Sequence, residues 1–346
     1  MSIVDCVPHD LLLNKLTYYG VNGNELSVIR SFLCNREQMV DKGGEWSSAV
    51  NVNVGVPQGS ILGPFLFIVF ANDLPMSIPG KIISYADDTT VLQSLNDDNI
   101  DVLSILDPMS DWFGANGLCM NVNKTQSIIF SLSNNECNLE AVKLLGIWLD
   151  NKLSWNRHTD ELCKKLSVVI FLLRRLKQSV SMKILTDAYY SFFHCHLNYG
   201  ILFWGNSAGA KDVFLLQKKA LRILKGIGTR QSCRQVFVEM KILTVASLYV
   251  LACLTFIHNN KDNYTQLSEV HLYSTRNRHN LLTPKCRLQK SHNSYIIMGI
   301  QLYNKLPLYI RNIQDINIFK RRIKNMLTEI IFYNVHDYIQ CNDFTV

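Results

Sequence analysis

A chain of 346 residues, 48% hydrophobic and 18% charged, has material for two or three packed domains and is not globally disordered. Its formal charge of +7 is divided sharply. Residues 1–150 carry 7 Lys and Arg against 17 Asp and Glu, a net of −10, and the rest carries 28 against 11, a net of +17. An acidic half gathers cations and a basic half gathers phosphates, as a nucleic-acid enzyme needs; two unrelated domains of different charge would look the same by composition alone. The 10 cysteines stand singly with no Cys-x-x-Cys, so neither a zinc knuckle nor a disulfide framework is indicated, and reduced thiols in an intracellular protein are the default. His194-Cys195-His196 has no second ligand pair to complete a metal site. Met1 to Asp10 lacks the basic residues of a secretory signal. Ile242 to Ile257 is uncharged and mostly apolar but shorter than the ~20 residues of a membrane span, so it reads as a buried helix.

In chain order, residues 11–38 read as a helical segment and its exit, with Leu11, Leu12, Leu16, Val28, Ile29, Phe32 and Leu33 as core candidates. Gln38 to Val56 alternates about Gly43-Gly44, which predicts a β-hairpin. Gly55 to Pro64 is a glycine-rich loop feeding a buried apolar helix from Phe65. Its glycines would let a ligand or a nucleic-acid backbone come close, although a plain loop into a core helix has the same pattern. Lys81-Ile82-Ile83 and Val91-Leu92 read as strands joined by a tight turn with Asp87 and Asp88 at its tip. Two touching carboxylates repel unless a cation shares them, and Mg²⁺ prefers such oxygen ligands. Asp97-Asp98, between Asn96 and Asn99, reads as a solvated turn instead. Ile100 to Asn116 reads as a helix capped by Gly117. Ser127 to Phe130 and Leu144 to Leu149 read as strands, the last of an antiparallel sheet backed by helices.

From residue 153 the chain reads helical. Leu162, Leu166, Val169, Leu173 and Leu176 make one apolar stripe, and Lys164, Lys165, Arg174, Arg175 and Lys177 fall largely off it. That face is either a cationic track for phosphates or a solvated surface. Gln217 to Lys225 repeats the pattern, Asn259 to Asn263 and Ser274 to His279 read as loops, and Phe319 to Lys324 opens a last basic amphipathic helix.

Four blocks carry a resemblance. Val56-Pro57-Gln58-Gly59-Ser60-Ile61-Leu62-Gly63-Pro64 resembles motif B, and Tyr85-Ala86-Asp87-Asp88 motif C, of the reverse transcriptases of animal non-LTR retrotransposons, the jockey-like ones among them. Trp112 to Leu118 with Asn121 to Thr125 resembles motif D, and Lys143 to Asp150 resembles the primer grip. The similarity continues more loosely through Tyr189 to Gly200, Leu216 to Arg222 and Leu302 to Pro307. It implies an α+β fold: a partial right-hand polymerase, with a palm lacking complete fingers over 1–152, a basic thumb-like helical region over 153–235 and a helical C-terminal region over 236–346. It implies RNA-directed DNA polymerisation with two Mg²⁺ ions held by Asp87 and Asp88, on an RNA template and a DNA primer with deoxynucleoside triphosphates, in the nucleus or cytoplasm and away from membranes. Tyr85 and Ala86 would face the primer end, and Gln58 and Gly59 the nucleotide and template. Lys124 would protonate the leaving pyrophosphate, unless it is an ordinary surface lysine. Lys164, Lys165, Arg174 and Arg175 would follow the nucleic-acid backbone.

Val4 to Leu12 resembles the tail of motif A, with Val4 at the position that screens the sugar 2′ group. Setting Asp5 on the last aspartate of that motif puts its metal-binding aspartate two residues before Met1. The expectation is therefore a chain without catalysis by itself, truncated or completed by another segment. The alternative is a nucleic-acid-binding remnant.

Overall fold

The computed structural model describes residues 3–86, 88–94, 103–131, 141–270 and 277–341. Helices dominate, and the chain divides into two units, Met1–Gln126 and Ser127–Val346.

In the first unit, α1 (His9–Tyr18) and α2 (Gly23–Leu33) occupy the stretch read as one helical segment, parted at Gly20, where φ is +91°. Leu12, Leu13, Leu16 and Leu33 are buried; Val28, expected in the core, is 67% exposed because it faces away from α1. β1 (Arg36–Gln38) pairs antiparallel with β4 (Val50–Val52), and β2 (Asp41–Lys42) with β3 (Glu45–Trp46) about the expected Gly43-Gly44 turn. α3 (Leu62–Ala71) begins where Ser60 Oγ accepts from the Gly63 amide at 2.9 Å while donating to the Pro57 carbonyl at 2.7 Å, which satisfies one of the free N–H groups of the first turn. The expected buried helix is only half so. Leu66, Phe67 and Phe70 are buried, but Phe65 is 54% and Ile68 65% exposed, since α3 is apolar all round and this unit covers one side of it. After α4 (Leu74–Ser77) come β5 (Lys81–Tyr85), β6 (Asp88–Leu92) and α5 (Leu103–Ala115), whose end is followed by Gly117 at φ +67°, as expected. The core joins α1, α3 and α5, with Trp112 edge-on to both Phe70 and Phe113. Lys15 runs into it, its ammonium bonded to the Phe70 carbonyl (2.7 Å) and Asp73 (2.8 Å) beneath the Phe70 and Trp112 rings.

In the second unit, Ser127 to Phe130, expected as a strand, forms none and pairs with no strand among the described residues. The single strand expected over Leu144 to Leu149 is a hairpin, β7 (Val142–Leu144) and β8 (Ile147–Leu149). Leu145 and Gly146, at φ +45° and +83°, make the two-residue turn that suits the twist of paired strands. The strands described make four separate two-stranded ladders rather than the one antiparallel sheet expected. The rest is helical. α6 (Asn156–Leu176) is followed by α7 (Met182–Ala188), a π-helical turn over Tyr189–His194, α8 (Cys195–Asn198) and α9 (Ile201–Trp204). Then come α10 (Ala210–Lys225), α11 (Arg234–Met240), α12 (Val245–Asn259), α13 (Leu267–Val270) and α14 (Gln289–His292). α15 (Tyr295–Asn304), α16 (Leu308–Arg311), α17 (Ile316–Glu329) and α18 (Val335–Gln340) complete the unit. α12 is the buried helix expected from Ile242 to Ile257 and packs against α15 and α17. Gly299 permits this approach: a Cβ there would lie 2.8 Å from Ile257. Fully buried Gln217 ties α10 to α12, donating to Leu243 O and the Tyr189 hydroxyl and accepting from the Val245 amide. Among the described residues no single helix is long and apolar enough to cross a membrane; α11 and α12 reach the length together but meet at 51°.

Candidate active site

The β5–β6 hairpin pairs Tyr85 with Asp88, Ser84 with Thr89 and Ile82 with Val91. Because side chains alternate along a strand, this register puts Ile82, Ser84, Thr89 and Val91 on one face and Tyr85 and Asp88 on the other. The first face covers α3 and α5, enclosing a small cavity of about 20 Å³ between Ser84, Ala86, Thr89, Phe67 and Trp112. The second is open, with Tyr85 66% exposed and the Asp88 carboxylate across from it. Ala86 enters the turn at φ +51°, as a two-residue hairpin connection requires. Asp87, expected as the principal metal ligand, lies outside the described residues, as does Asp97-Asp98. Asp88 supplies the hard oxygen donor that suits Mg²⁺. No group of three or more His, Cys, Asp or Glu that could hold a metal occurs among the described residues.

The loop before α3 is pinned to the start of the chain. Gly55 N donates to Val7 O at 2.8 Å, Pro8 and Val54 form a β-bridge, and the Gly55 carbonyl accepts from His9 (2.8 Å) and Arg36 (3.1 Å). A Cβ on Gly55 would lie 2.6 Å from the Asp5 carbonyl, so only glycine lets the two backbones meet. The same approach brings Gln58 Nε2 to Asp5 Oδ1 at 2.6 Å. Nothing in the sequence signals that bond, which spans 53 positions. Gly59 follows at φ +78° with open space around it. Val4 lies in a 3₁₀ turn, Ile3–Cys6, and its side chain is outside those described. Lys124 ends another 3₁₀ turn, Val122–Lys124, capped by the Asn121 side chain; it is exposed and pairs with no carboxylate among the described residues.

In the second unit, the β7–β8 turn is held by the Tyr199 hydroxyl, which donates to Leu145 O. Asp150, just after β8, fixes the entry to α6 by accepting from the amides of Lys152, Ser154 and Trp155 and the Ser154 hydroxyl. Between hairpin and helix lies a cleft of about 40 Å³ lined by Trp148, His158, Glu161, Lys165, His196 and Tyr199. Burial, and secondarily Lys165, lowers the His158 pKa. All four cations expected on the nucleic-acid backbone are exposed on α6, yet they differ. Lys164 is held by Glu161 at 2.8 Å, Lys165 borders the cleft, and Arg174 and Arg175 sit in the last turn of the helix. Val168 (70% exposed) and Phe171 (62%) stand among them, so this face is mixed rather than purely basic. The buried stripe is Leu162, Leu166, Ile170 and Leu173; Ile170 takes the place expected of the partly buried Val169.

Residues 2–149 match the family described as reverse transcriptase (RNA-dependent DNA polymerase). The chain carries a reverse transcriptase domain. It is 30% identical over 244 residues to the RNA-directed DNA polymerase from mobile element jockey of Drosophila melanogaster, covering 62% of this chain and 26% of that protein. It is 31% identical over 255 residues to the probable RNA-directed DNA polymerase from transposon BS of the same fly, covering 64% and 27%. The corresponding X-element protein is 26% identical over 225 residues, covering 58% and 25%. The chain thus spans about a quarter of the length of these curated relatives. By name, these relatives are RNA-directed DNA polymerases of a mobile element and of transposons. The match takes in both the β5–β6 hairpin and the β7–β8 hairpin.

Proposed function

We propose that this reverse transcriptase domain belongs to an RNA-directed DNA polymerase and adds deoxynucleotides to a DNA primer on an RNA template, inside the cell. The observation that carries the reading is the hairpin register: a tight turn entered through Ala86, with Tyr85 and Asp88 facing each other on the open side. Asp87 and Asp88 are the residues that would hold Mg²⁺. When bound, the metal supplies the charge that lowers the pKa of the primer hydroxyl and stabilises the leaving oxygens. Tyr85 packs beside the primer end. Gln58, with Nε2 committed to Asp5, offers its carbonyl oxygen and remaining N–H to the nucleotide or template, and Gly59 leaves room for their approach. Lys124 gives its proton to the departing pyrophosphate. Lys165, Arg174 and Arg175 meet the primer–template backbone, and Lys164 joins them by exchanging Glu161 for a phosphate. Residues 1–152 act as palm, 153–235 as thumb and 236–346 as a helical C-terminal region, with Val4 near the sugar.

The test is extension of oligo(dT) on poly(rA) with Mg²⁺ and dTTP. Asp87→Asn should reduce extension at least about a thousandfold, since metal ligands act as a unit. Polymerisation that survives Asp87→Asn would refute the assignment.

A further inference from the structure

Gln58 is exposed, and an exposed glutamine in a loop ordinarily keeps its rotamer freedom. Here both its backbone and its side chain are held. Before it, the chain crosses the segment Asp5 to Pro8 at Gly55, whose amide bonds to Val7 O at 2.8 Å and whose carbonyl accepts from His9 and Arg36. After it, Ser60 Oγ bonds to Pro57 O and to the Gly63 amide, and a Cβ on Gly63 would lie 2.7 Å from that same carbonyl. Pro57 restricts its own φ between the two anchors. The Gln58 side chain then reaches Asp5, in the 3₁₀ turn Ile3–Cys6, with Nε2 2.6 Å from Oδ1.

The chemistry of this pair decides which way the amide faces. A carboxylate offers acceptors only, so turning Gln58 Oε1 toward Asp5 would set two acceptors 2.6 Å apart. Nε2 therefore stays with Asp5, and Oε1 and the second N–H face away from that contact. A bond to a carboxylate is about twice as strong as one between neutral groups, so the amide is held firmly in this orientation. A side chain ordered before its ligand arrives has less freedom to lose on binding.

We infer that Asp5 is a positioning residue for Gln58: it fixes one of the two amide orientations, so that the incoming nucleotide meets a carbonyl acceptor and one N–H in a set arrangement. The inference rests on the reading of Gln58 as a nucleotide contact. Asp5 acts through Gln58 alone and neither touches the nucleotide nor holds a metal.

The experiment measures the affinity of the full chain for labelled dTTP by equilibrium dialysis, with Mg²⁺ and poly(rA) primed by oligo(dT) ending in a dideoxynucleotide, so that no turnover intervenes. D5A should weaken binding about fivefold, the effect of one side chain no longer ordered in advance. Q58A should weaken it about tenfold, and D5A/Q58A no more than Q58A alone. D5N, whose amide oxygen still accepts from Nε2, should stay within about twofold of the parent. A thermal melt checks folding. If D5A does not fold, Q58E at its exposed position sets two carboxylates face to face, and D5N/Q58E, which exchanges donor and acceptor, should bind more tightly than Q58E. A second arm reads the Gln58 side-chain amide by NMR of ¹⁵N-glutamine-labelled protein: D5A should move it to the position of a solvated amide and D5N should not. Unchanged affinity in folded D5A overturns the inference, as does additive loss in D5A/Q58A. D5N as weak as D5A also overturns it, because Asp5 then acts by its charge. An amide that D5A does not move overturns the inference alone. An amide bonded to Asp5 in a parent chain that binds no dTTP overturns the nucleotide reading of Gln58 together with it.

Discussion

Ala86 holds a backbone conformation that costs an L-residue about 1–2 kcal/mol, and it does so at the turn that carries the candidate catalytic carboxylates. Ala86→Gly should therefore be neutral or stabilising, whereas Ala86→Val, with a branched Cβ, should destabilise the first unit by about 1–3 kcal/mol in denaturant titration. Equal stability of the two variants would deny that the turn is strained. This turn was legible because local alternation on both sides of Tyr85-Ala86-Asp87-Asp88 leaves little else for the segment to be. The Gln58–Asp5 bond was not. Both residues could be named from their motif blocks, but which hydrogen bond a side chain makes across 53 positions depends on the close approach at Gly55, and a glycine by itself does not say what it approaches.

At the level of elements, the π-helical turn Tyr189–His194 directs His194 inward, where its Nδ1 has no hydrogen-bond partner among the described residues. Burial, and then Lys324 on α17, lower its pKa from 6.5 to about 4. His158 and His258 are lowered too, each by burial first and a neighbouring lysine second. A histidine with a depressed folded pKa binds its proton more readily unfolded, so stability falls as pH drops below the unfolded value of 6.5, for His194 until about 4. The melting temperature of the chain should fall steadily between pH 6.5 and 4.5, and His194→Gln should shallow that fall. A variant with the same pH profile as the parent would remove His194 as a cause. The tripeptide His194-Cys195-His196 signalled only that a metal site was improbable; which way each ring points depends on the extra residue in the turn. The β7–β8 hairpin shows the same limit. Leu144 to Leu149 is uniformly apolar apart from Gly146, and an apolar run reads as one strand unless the turn carries a stronger punctuation than Leu-Gly.

On the scale of the molecule, the two units have separate cores. One joins Leu12, Phe70 and Trp112, the other Leu166, Trp204, Phe237 and Ile323. Residues 127–346 expressed alone should therefore unfold in one cooperative transition, followed by circular dichroism. A gradual loss of signal would mean that this core depends on the preceding residues. The order of elements was readable almost throughout, because helix and hairpin signals are local. The assembly of strands was less so: the expected single sheet is four separate ladders among the described residues, since pairing between distant segments leaves no mark in periodicity. The charge division was visible in composition, but the approach of Lys218 and Arg234 to one tyrosine, Tyr333, was not, because it requires α10, α11 and the segment before α18 to converge.

The uncovered side of α3 has a practical consequence for the polypeptide in solution. Ile61, Phe65 and Ile68 offer water an oily ridge, and every square ångström that two colliding molecules hide from solvent is favourable by about 25 cal/mol. Crowding the protein will thus drive it toward self-association through this ridge, so concentrated stocks should cloud before dilute ones lose their fold.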